Sequence, residues 1–126
     1  MKLLLDTSII IDFLRQKEKS DTLLYKLSQQ DLYISIITHT ELYSGKSVWE
    51  KETARAELEK LFSGLTILQI DVPISKVAGK IRAQNQNTSL LDCIIAATAI
   101  QHKLNIVTLN NRDFEKIDRL KLFESK

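Results

Sequence analysis

Four oxygen-bearing side chains each stand where an apolar run of β type gives way to a helical pattern: Asp6, Glu41, Asp92 and Asn110. Three carboxylates that meet in one crevice repel one another unless a cation lies between them. Carboxylate, amide and hydroxyl oxygens suit a hard ion, and the two histidines lack the spacing of a zinc site. The residue types therefore predict a site for Mg²⁺, with Mn²⁺ as a substitute, held by Asp6, Glu41 and Asp92.

A Mg²⁺ site of this kind indicates phosphodiester chemistry, because the ion keeps several waters and usually binds a substrate phosphate. It polarises a phosphoryl oxygen, helps to deprotonate the attacking water and neutralises the leaving oxygen, with a second ion roughly 3.5–4 Å away where two are used. The amide oxygen of Asn110 can orient a metal-bound water. Arg82 can approach a phosphate, although a solvated helix face explains it equally well.

Two of these acids also have a structural interpretation at the start of a helix. Asp6 can cap the helix that follows it, unless Ser8 is the cap and leaves Asp6 free for a ligand. Thr38 and Glu41 have the spacing of a capping box, in which the acid reaches back to the N–H of the capping residue. Both interpretations are compatible with metal binding, because an acid in the first turn lies in the positive field of the helix N-terminus.

The other two candidates have local explanations as well. Ser89 precedes Asp92 at the spacing of a cap followed by an acid. Asn110 and the nearby Asp113 lie in a segment whose residues often form turns. No single candidate is decisive, so the metal site depends on their convergence.

Strands separated by helices are the elements that would bring these residues together. Apolar runs predict strands at 2–6, 32–36, 66–70, 105–108 and near 119–123, and helical spacing predicts helices between them. Such alternation indicates parallel pairing with right-handed crossovers. We therefore expect an α/β fold, a three-layer α/β/α sandwich with a central, mainly parallel sheet, whose strand ends face one crevice.

The bulk composition is that of one globular domain spanning residues 1–126. The net charge of +2 permits a nucleic-acid partner without requiring one, and a single cysteine excludes an internal disulfide. Asp6 and Asp12 interrupt the apolar N-terminal run, which is therefore interpreted as structure rather than as a signal peptide. No run approaches the roughly 18 apolar residues of a membrane span, so we expect a cytoplasmic protein without membrane contact.

The chain resembles the PIN-domain family, and within it the VapC-type toxin ribonucleases of type II toxin–antitoxin systems. The matching stretches are LLLDTSIIIDFL at 3–14, ISIITHTELYSG at 34–45 and SLLDCIIAATAIQHKLNIVTLNNRDF at 89–114, with Arg82 between them. The resemblance covers essentially the whole chain, and the ordered set is more specific than any one stretch.

The resemblance implies roles for the candidates and partners for the protein. It makes Asp6, Glu41 and Asp92 the acidic metal-binding and catalytic residues, and it places Asn110 at a fourth position where some members carry Asp. It further implies a homodimer that cleaves RNA and is neutralised by a cognate antitoxin. The supporting residues that it implies are the hydroxyl-bearing Thr7, Ser8 and Thr108 and the acid Asp113.

Three other functions remain open from the sequence. A PIN relative that binds RNA without cleaving it would keep the same motifs. A receiver-like phosphoacceptor would use Asp71 after the third strand, but Thr7 and Ser8 stand where such domains expect a second acid. A phosphatase that forms an aspartyl phosphate would need a general acid two residues after Asp6, and Ser8 cannot serve as one.

Overall fold

Four parallel strands form the centre of the fold in the computed structural model, which describes residues 1–124; the last two residues of the predicted domain 1–126 lie outside this range. The strands lie in the order β3-β2-β1-β4, and every neighbouring pair is parallel. The predicted parallel α/β architecture is therefore confirmed. The strands are β1 (Lys2–Leu5), β2 (Asp31–Ser35), β3 (Thr66–Leu68) and β4 (Asn105–Val107).

Helices cover both faces of this sheet, as a three-layer sandwich requires. Side chains alternate along β1, so that Leu4 packs in one core while Leu3 and Leu5 pack in the other, and all three are fully buried. The helices are α1 (Thr7–Arg15), α2 (Leu23–Lys26), α3 (Ile36–Tyr43), α4 (Lys46–Glu50), α5 (Glu52–Phe62), α6 (Val72–Gln84), α7 (Leu90–Gln101) and α8 (Asn111–Phe114). The core on the Leu4 side is built from α6 and α7, and the opposite core from α1, α3 and α5.

The strands end one to two residues before the predicted positions. At β2 the reason is local: the Ser35 hydroxyl accepts a hydrogen bond from the Ile37 backbone N–H at 3.1 Å, so helix α3 begins at Ile36 rather than at Thr38. The sequence predicts one helix that ends near Gly45 and another over about 50–63, and the segment between them forms the short helix α4. The helical spacing of Leu23, Leu24 and Leu27 predicts a helix that continues to about residue 29, whereas the structure has only the four residues of α2 there.

The last predicted strand, near 119–123, is wrong as a strand among the described residues. Only one bridge forms there, between Leu122 and Ile106 of β4. Arg119 has a φ of 71°, and the Leu120 N–H donates to the Ile117 carbonyl, so a turn occupies the place where pairing would begin. None of the helices within residues 1–124 has the length and apolar character needed to cross a bilayer.

Candidate active site

The junction between β1 and α1 carries the most buried acid of the molecule's described part. Asp6 is 4% exposed, has extended backbone angles, and its N–H donates to the Val107 carbonyl of β4 at 3.0 Å. The β1 leucines before it are fully buried, and the Ile9 and Ile10 side chains of α1 enter the core after it. The carboxylate is therefore fixed at the carboxyl edge of the sheet, in its central region.

Asp6 itself caps α1, so the alternative in which Ser8 is the cap is wrong. Its Oδ1 accepts from the Ser8 N–H at 3.0 Å, the Ser8 hydroxyl at 2.5 Å and the Ile9 N–H at 3.4 Å. Its Oδ2 accepts from the Thr108 hydroxyl at 2.5 Å. Because a carboxylate oxygen has two lone pairs, Oδ2 keeps one that a cation, or a water bound to it, can use.

Two hydroxyl groups connect Asp6 to the loop after β4. The Ser8 hydroxyl accepts from the Leu109 N–H at 3.1 Å, and the Thr108 hydroxyl accepts from the Asn110 N–H at 2.9 Å. Each hydroxyl has one hydrogen, which it donates to Asp6. The loop is thus linked to the Asp6 carboxylate by two hydrogen-bond relays. One runs from Leu109 through Ser8 to Asp6, and the other from Asn110 through Thr108 to Asp6.

Burial sets the electrostatics of Asp6. Loss of water raises the pKa of this carboxyl group, and the hydrogen bonds from Ser8, Thr108 and the Ile9 N–H lower it only in part. Keeping Asp6 ionised therefore costs free energy in the metal-free protein. A bound cation would offset that cost.

Glu41 reaches the same junction from α3. The Thr7 hydroxyl donates to Glu41 Oε1 at 2.6 Å, and it also lies 3.2 Å from the hydroxyl of Thr38. The predicted capping box between Thr38 and Glu41 is wrong, because Ser35 is the cap and Thr38 is the third residue of the helix. Glu41 therefore lies in the second turn of α3 rather than the first, and it faces Thr7 instead of its own N-terminus.

Asp92 approaches from the first turn of α7. The predicted cap is confirmed, since the Ser89 hydroxyl accepts from the Asp92 N–H at 3.1 Å. The predicted position after a strand is wrong, because α7 follows helix α6. Burial raises the pKa of Asp92, the hydroxyl of Ser89 lowers it, and the negative charges of Asp113, Asp6 and Glu41 raise it further. The charges of Asp6, Glu41 and Asp113 thus all act on Asp92, and the four acids form one acidic cluster.

Asn110 and Asp113 are exposed to solvent at the edge of this acidic cluster. Their backbones are joined by a hydrogen bond from the Asp113 N–H to the Asn110 carbonyl at 3.0 Å. Within residues 1–124, neither side chain makes a hydrogen bond. Arg82 is half-buried on α6 near Cys93. Burial raises the pKa of the Cys93 thiol, the charge of Arg82 lowers it only in part, and Asp92 raises it further. Asp71, the receiver-like candidate, caps α6 by accepting from the Ile74 N–H at 2.9 Å.

The donor set fits a hydrated hard cation. Within residues 1–124, no three His, Cys, Asp or Glu side chains are placed to grip one ion directly. Mg²⁺ usually keeps several waters and binds through only one or two carboxylates, so the other acids can act through those waters. The free lone pair on Asp6 Oδ2 and the repulsion felt by Asp92 are the features that such an ion would satisfy.

Thr38 also contributes to the site, although its sequence pattern predicts only a helix cap. The capping-box pattern assigned it to the helix start, whereas its hydroxyl contacts Thr7 beside Glu41. The three-residue spacing of Thr38 and Glu41 places them on one helix face, and this was the signal available in the sequence.

The chain is similar along its length to known proteins. A family model described as PIN domain matches residues 3–120. The tRNA(fMet)-specific endonuclease VapC of Shigella flexneri is 32% identical, with 96% of each chain covered. Ribonuclease VapC1 of Rickettsia felis is also 32% identical, over 97% of this chain and 95% of that one. The crystal structure of DNA-bound VapBC from Salmonella typhimurium superposes with a TM-score of 0.83 at 28% identity, covering 98% of this chain and 97% of the other.

Proposed function

The chain belongs to the PIN-domain family, and we propose that it is a Mg²⁺-dependent endoribonuclease that acts as the toxin of a toxin–antitoxin pair. The family predicted from the sequence is confirmed. The observation that carries the proposal is that Asp6 lies at the end of β1 and that Thr7, the next residue, donates to Glu41, so both acids lie at the same edge of the sheet. Hydrogen bonds from Thr7, Ser8 and Thr108 hold both carboxylates there. Their negative charges raise the pKa of Asp92, so Asp92 lies near them.

The roles of the residues follow from this geometry. When bound, Mg²⁺ would polarise the scissile phosphate and acidify the attacking water. Asp6 and Asp92 would hold the ion, and Mn²⁺ would fit the same oxygen donors. Glu41 Oε1 is occupied by the Thr7 hydroxyl, so Glu41 would bind the ion or accept the proton of the attacking water at Oε2. The exposed amide of Asn110 would orient that water.

The partners belong to the same proposal. Metal dependence is general among PIN-domain VapC nucleases, and Mg²⁺ is the ion that we propose here. The relative from Shigella flexneri is named as an endonuclease specific for tRNA(fMet), and the structural neighbour from Salmonella typhimurium is a VapBC complex. These similarities support an RNA substrate and a cognate antitoxin. We further propose that the protein is cytoplasmic and forms a homodimer.

The direct test compares RNA cleavage by the wild type, Asp92→Ala and Asp31→Ala. Asp31 is a matched control, because it is an exposed aspartate at the amino end of β2, the opposite edge of the sheet. We expect cleavage to require Mg²⁺ and to stop in EDTA. Asp92→Ala should cleave at least about 100-fold more slowly, since even the outer partners of metal ligands are worth about 10–100-fold. Asp31→Ala should match the wild type.

Mapping the new RNA ends in total RNA after brief expression would then identify the cleaved bond, with Asp92→Ala as the inactive control. Cleavage by Asp92→Ala at the wild-type rate would contradict the assignment of the site. Tight RNA binding with no metal-dependent cleavage would favour the alternative of a non-catalytic RNA-binding member of the family.

A further inference from the structure

Thr38 is a buried threonine whose hydroxyl has an unusual partner. It is 0% exposed, and its hydrogen bond within residues 1–124 is to the hydroxyl of Thr7, 3.2 Å away. Helical threonines commonly donate to the carbonyl four residues earlier, as Thr40 does to Ile36 at 2.9 Å and Thr98 does to Ile94 at 2.8 Å. Thr38 instead turns its hydroxyl toward α1.

The direction of this hydrogen bond is fixed by counting hydrogens. Thr7 has one hydroxyl hydrogen and two oxygen neighbours, Glu41 Oε1 at 2.6 Å and Thr38 Oγ1 at 3.2 Å. An ionised carboxylate can only accept, so the hydrogen of Thr7 goes to Glu41. In the longer contact Thr38 is therefore the donor, and a directed chain runs from Thr38 through Thr7 to Glu41.

From this chain we propose that Thr38 is a positioning residue for Glu41, an inference that rests on the proposed function of that acid. A hydroxyl rotates freely unless a neighbour fixes it, and Thr38 fixes that of Thr7 with its hydrogen toward Oε1. Because Thr38 is fully buried, no water can replace its hydroxyl. Oε1 is thereby held, which leaves Oε2 as the oxygen of Glu41 that would act on the attacking water.

A packing role for Thr38 makes the opposite prediction for one substitution. Valine carries a methyl group in the place of the threonine hydroxyl, so Thr38→Val keeps the shape of the side chain in the core and removes the hydrogen bond. If Thr38 merely fills space, this variant keeps the wild-type cleavage rate. If Thr38 positions Glu41, the variant folds and cleaves more slowly.

The kinetic test measures kcat and KM for Mg²⁺-dependent RNA cleavage by Thr38→Val and Thr98→Val. Thr98 is the matched control, because it is also 0% exposed but donates to a carbonyl of its own helix. We expect Thr38→Val to lower kcat by about 10–100-fold, the usual effect of losing an outer partner of a site ligand. KM for RNA should not change, because Thr38 is buried. Thr98→Val should retain the wild-type kcat, and Thr38→Ser should restore most of the loss.

A second readout does not require activity. Side-chain scalar couplings of Glu41, measured by NMR in the metal-free protein, report whether its χ1 and χ2 torsions keep one rotamer and so hold the carboxylate in one place. We expect one dominant rotamer in the wild type and in Thr98→Val, and averaging in Thr38→Val. A wild-type kcat together with an unchanged rotamer in Thr38→Val would overturn the proposal. If the wild type itself cleaved no RNA, the function would fail while the rotamer still decided the role of Thr38.

Discussion

The candidate site has two sides that are built differently. The anchored side consists of two hydrogen-bonded groups, one around each acid: Asp6 with Ser8 and Thr108, and Glu41 with Thr7 and Thr38. The open side consists of Asp92, Asn110 and Asp113, and the hydroxyl of Ser89 is the neighbour that favours the Asp92 charge. The backbone of Asn110 is hydrogen-bonded to the Thr108 hydroxyl, but the acids of the two sides are connected by charge rather than by hydrogen bonds. We infer that the fold fixes the anchored side by itself, whereas the side chains of the open side depend on a cation for their place in the site.

The largest expected difference between the two sides is in the free energy of unfolding, when Asp6 is replaced on one side and Asp92 on the other. Asp6→Ala would leave the Ser8 and Ile9 N–H groups and two hydroxyls without their acceptor, so we expect the free energy of unfolding to fall by about 1–3 kcal/mol. Asp92→Ala removes a charge that its neighbours repel, so its loss should be smaller than about 0.5 kcal/mol. Denaturant unfolding of the metal-free proteins measures both. Equal losses would show that the two sides are not built differently.

The two relays should be separable by single substitutions. Thr108→Val removes the acceptor of the Asn110 N–H, and Ser8→Ala removes that of the Leu109 N–H. Each should cost about 1–2 kcal/mol, because each hydroxyl also donates to a charged carboxylate. Amide hydrogen exchange should accelerate at Asn110 in the first variant and at Leu109 in the second. Equal acceleration at both amides in either variant would mean that the loop opens as one unit.

The pH dependence of the unfolding free energy should be a smaller effect, and it should come from Asp6 on the anchored side and Asp92 on the open side. The pKa values of Asp6 and Asp92 are raised in the folded state, so between the ordinary value and the raised one the folded protein binds more protons than the unfolded chain. Their contribution to stability is therefore present at low pH and is lost as pH rises through the folded pKa. We expect the unfolding free energy of Asp92→Asn to fall less than that of the wild type over this range. Parallel pH curves would contradict the shift at Asp92.

Local sequence patterns correctly predicted the features that depend on residues close together in the chain. The apolar run of β1 ends at Asp6 because the next residues start a helix, and the cap of α7 lies three residues from Asp92. The prediction of a capping box at Thr38 was wrong because the hydroxyls of Ser35 and Thr38 can both cap a helix here. Ser35 has the extended backbone that a cap needs, so α3 begins after it.

Contacts between distant segments could not be read from the sequence. The Ser8 and Thr108 relays join residues 101 and 102 positions apart, and no periodicity encodes such pairs. The family resemblance named both residues as supporting hydroxyls, whereas the fold shows which atoms they connect. The bridge at Leu122 lies at the edge of the sheet, where a turn at Arg119 outweighs the apolar run.

The most direct test of the two-sided site is Mn²⁺ titration followed by NMR, since Mn²⁺ broadens the amide signals nearest to it. At substoichiometric Mn²⁺ we expect selective broadening at Asp6, Glu41 and Asp92 together, unchanged in Asp31→Ala and lost in Asp92→Ala. Broadening that is confined to one side, or that persists in Asp92→Ala, would contradict a single cation shared by the anchored and open sides.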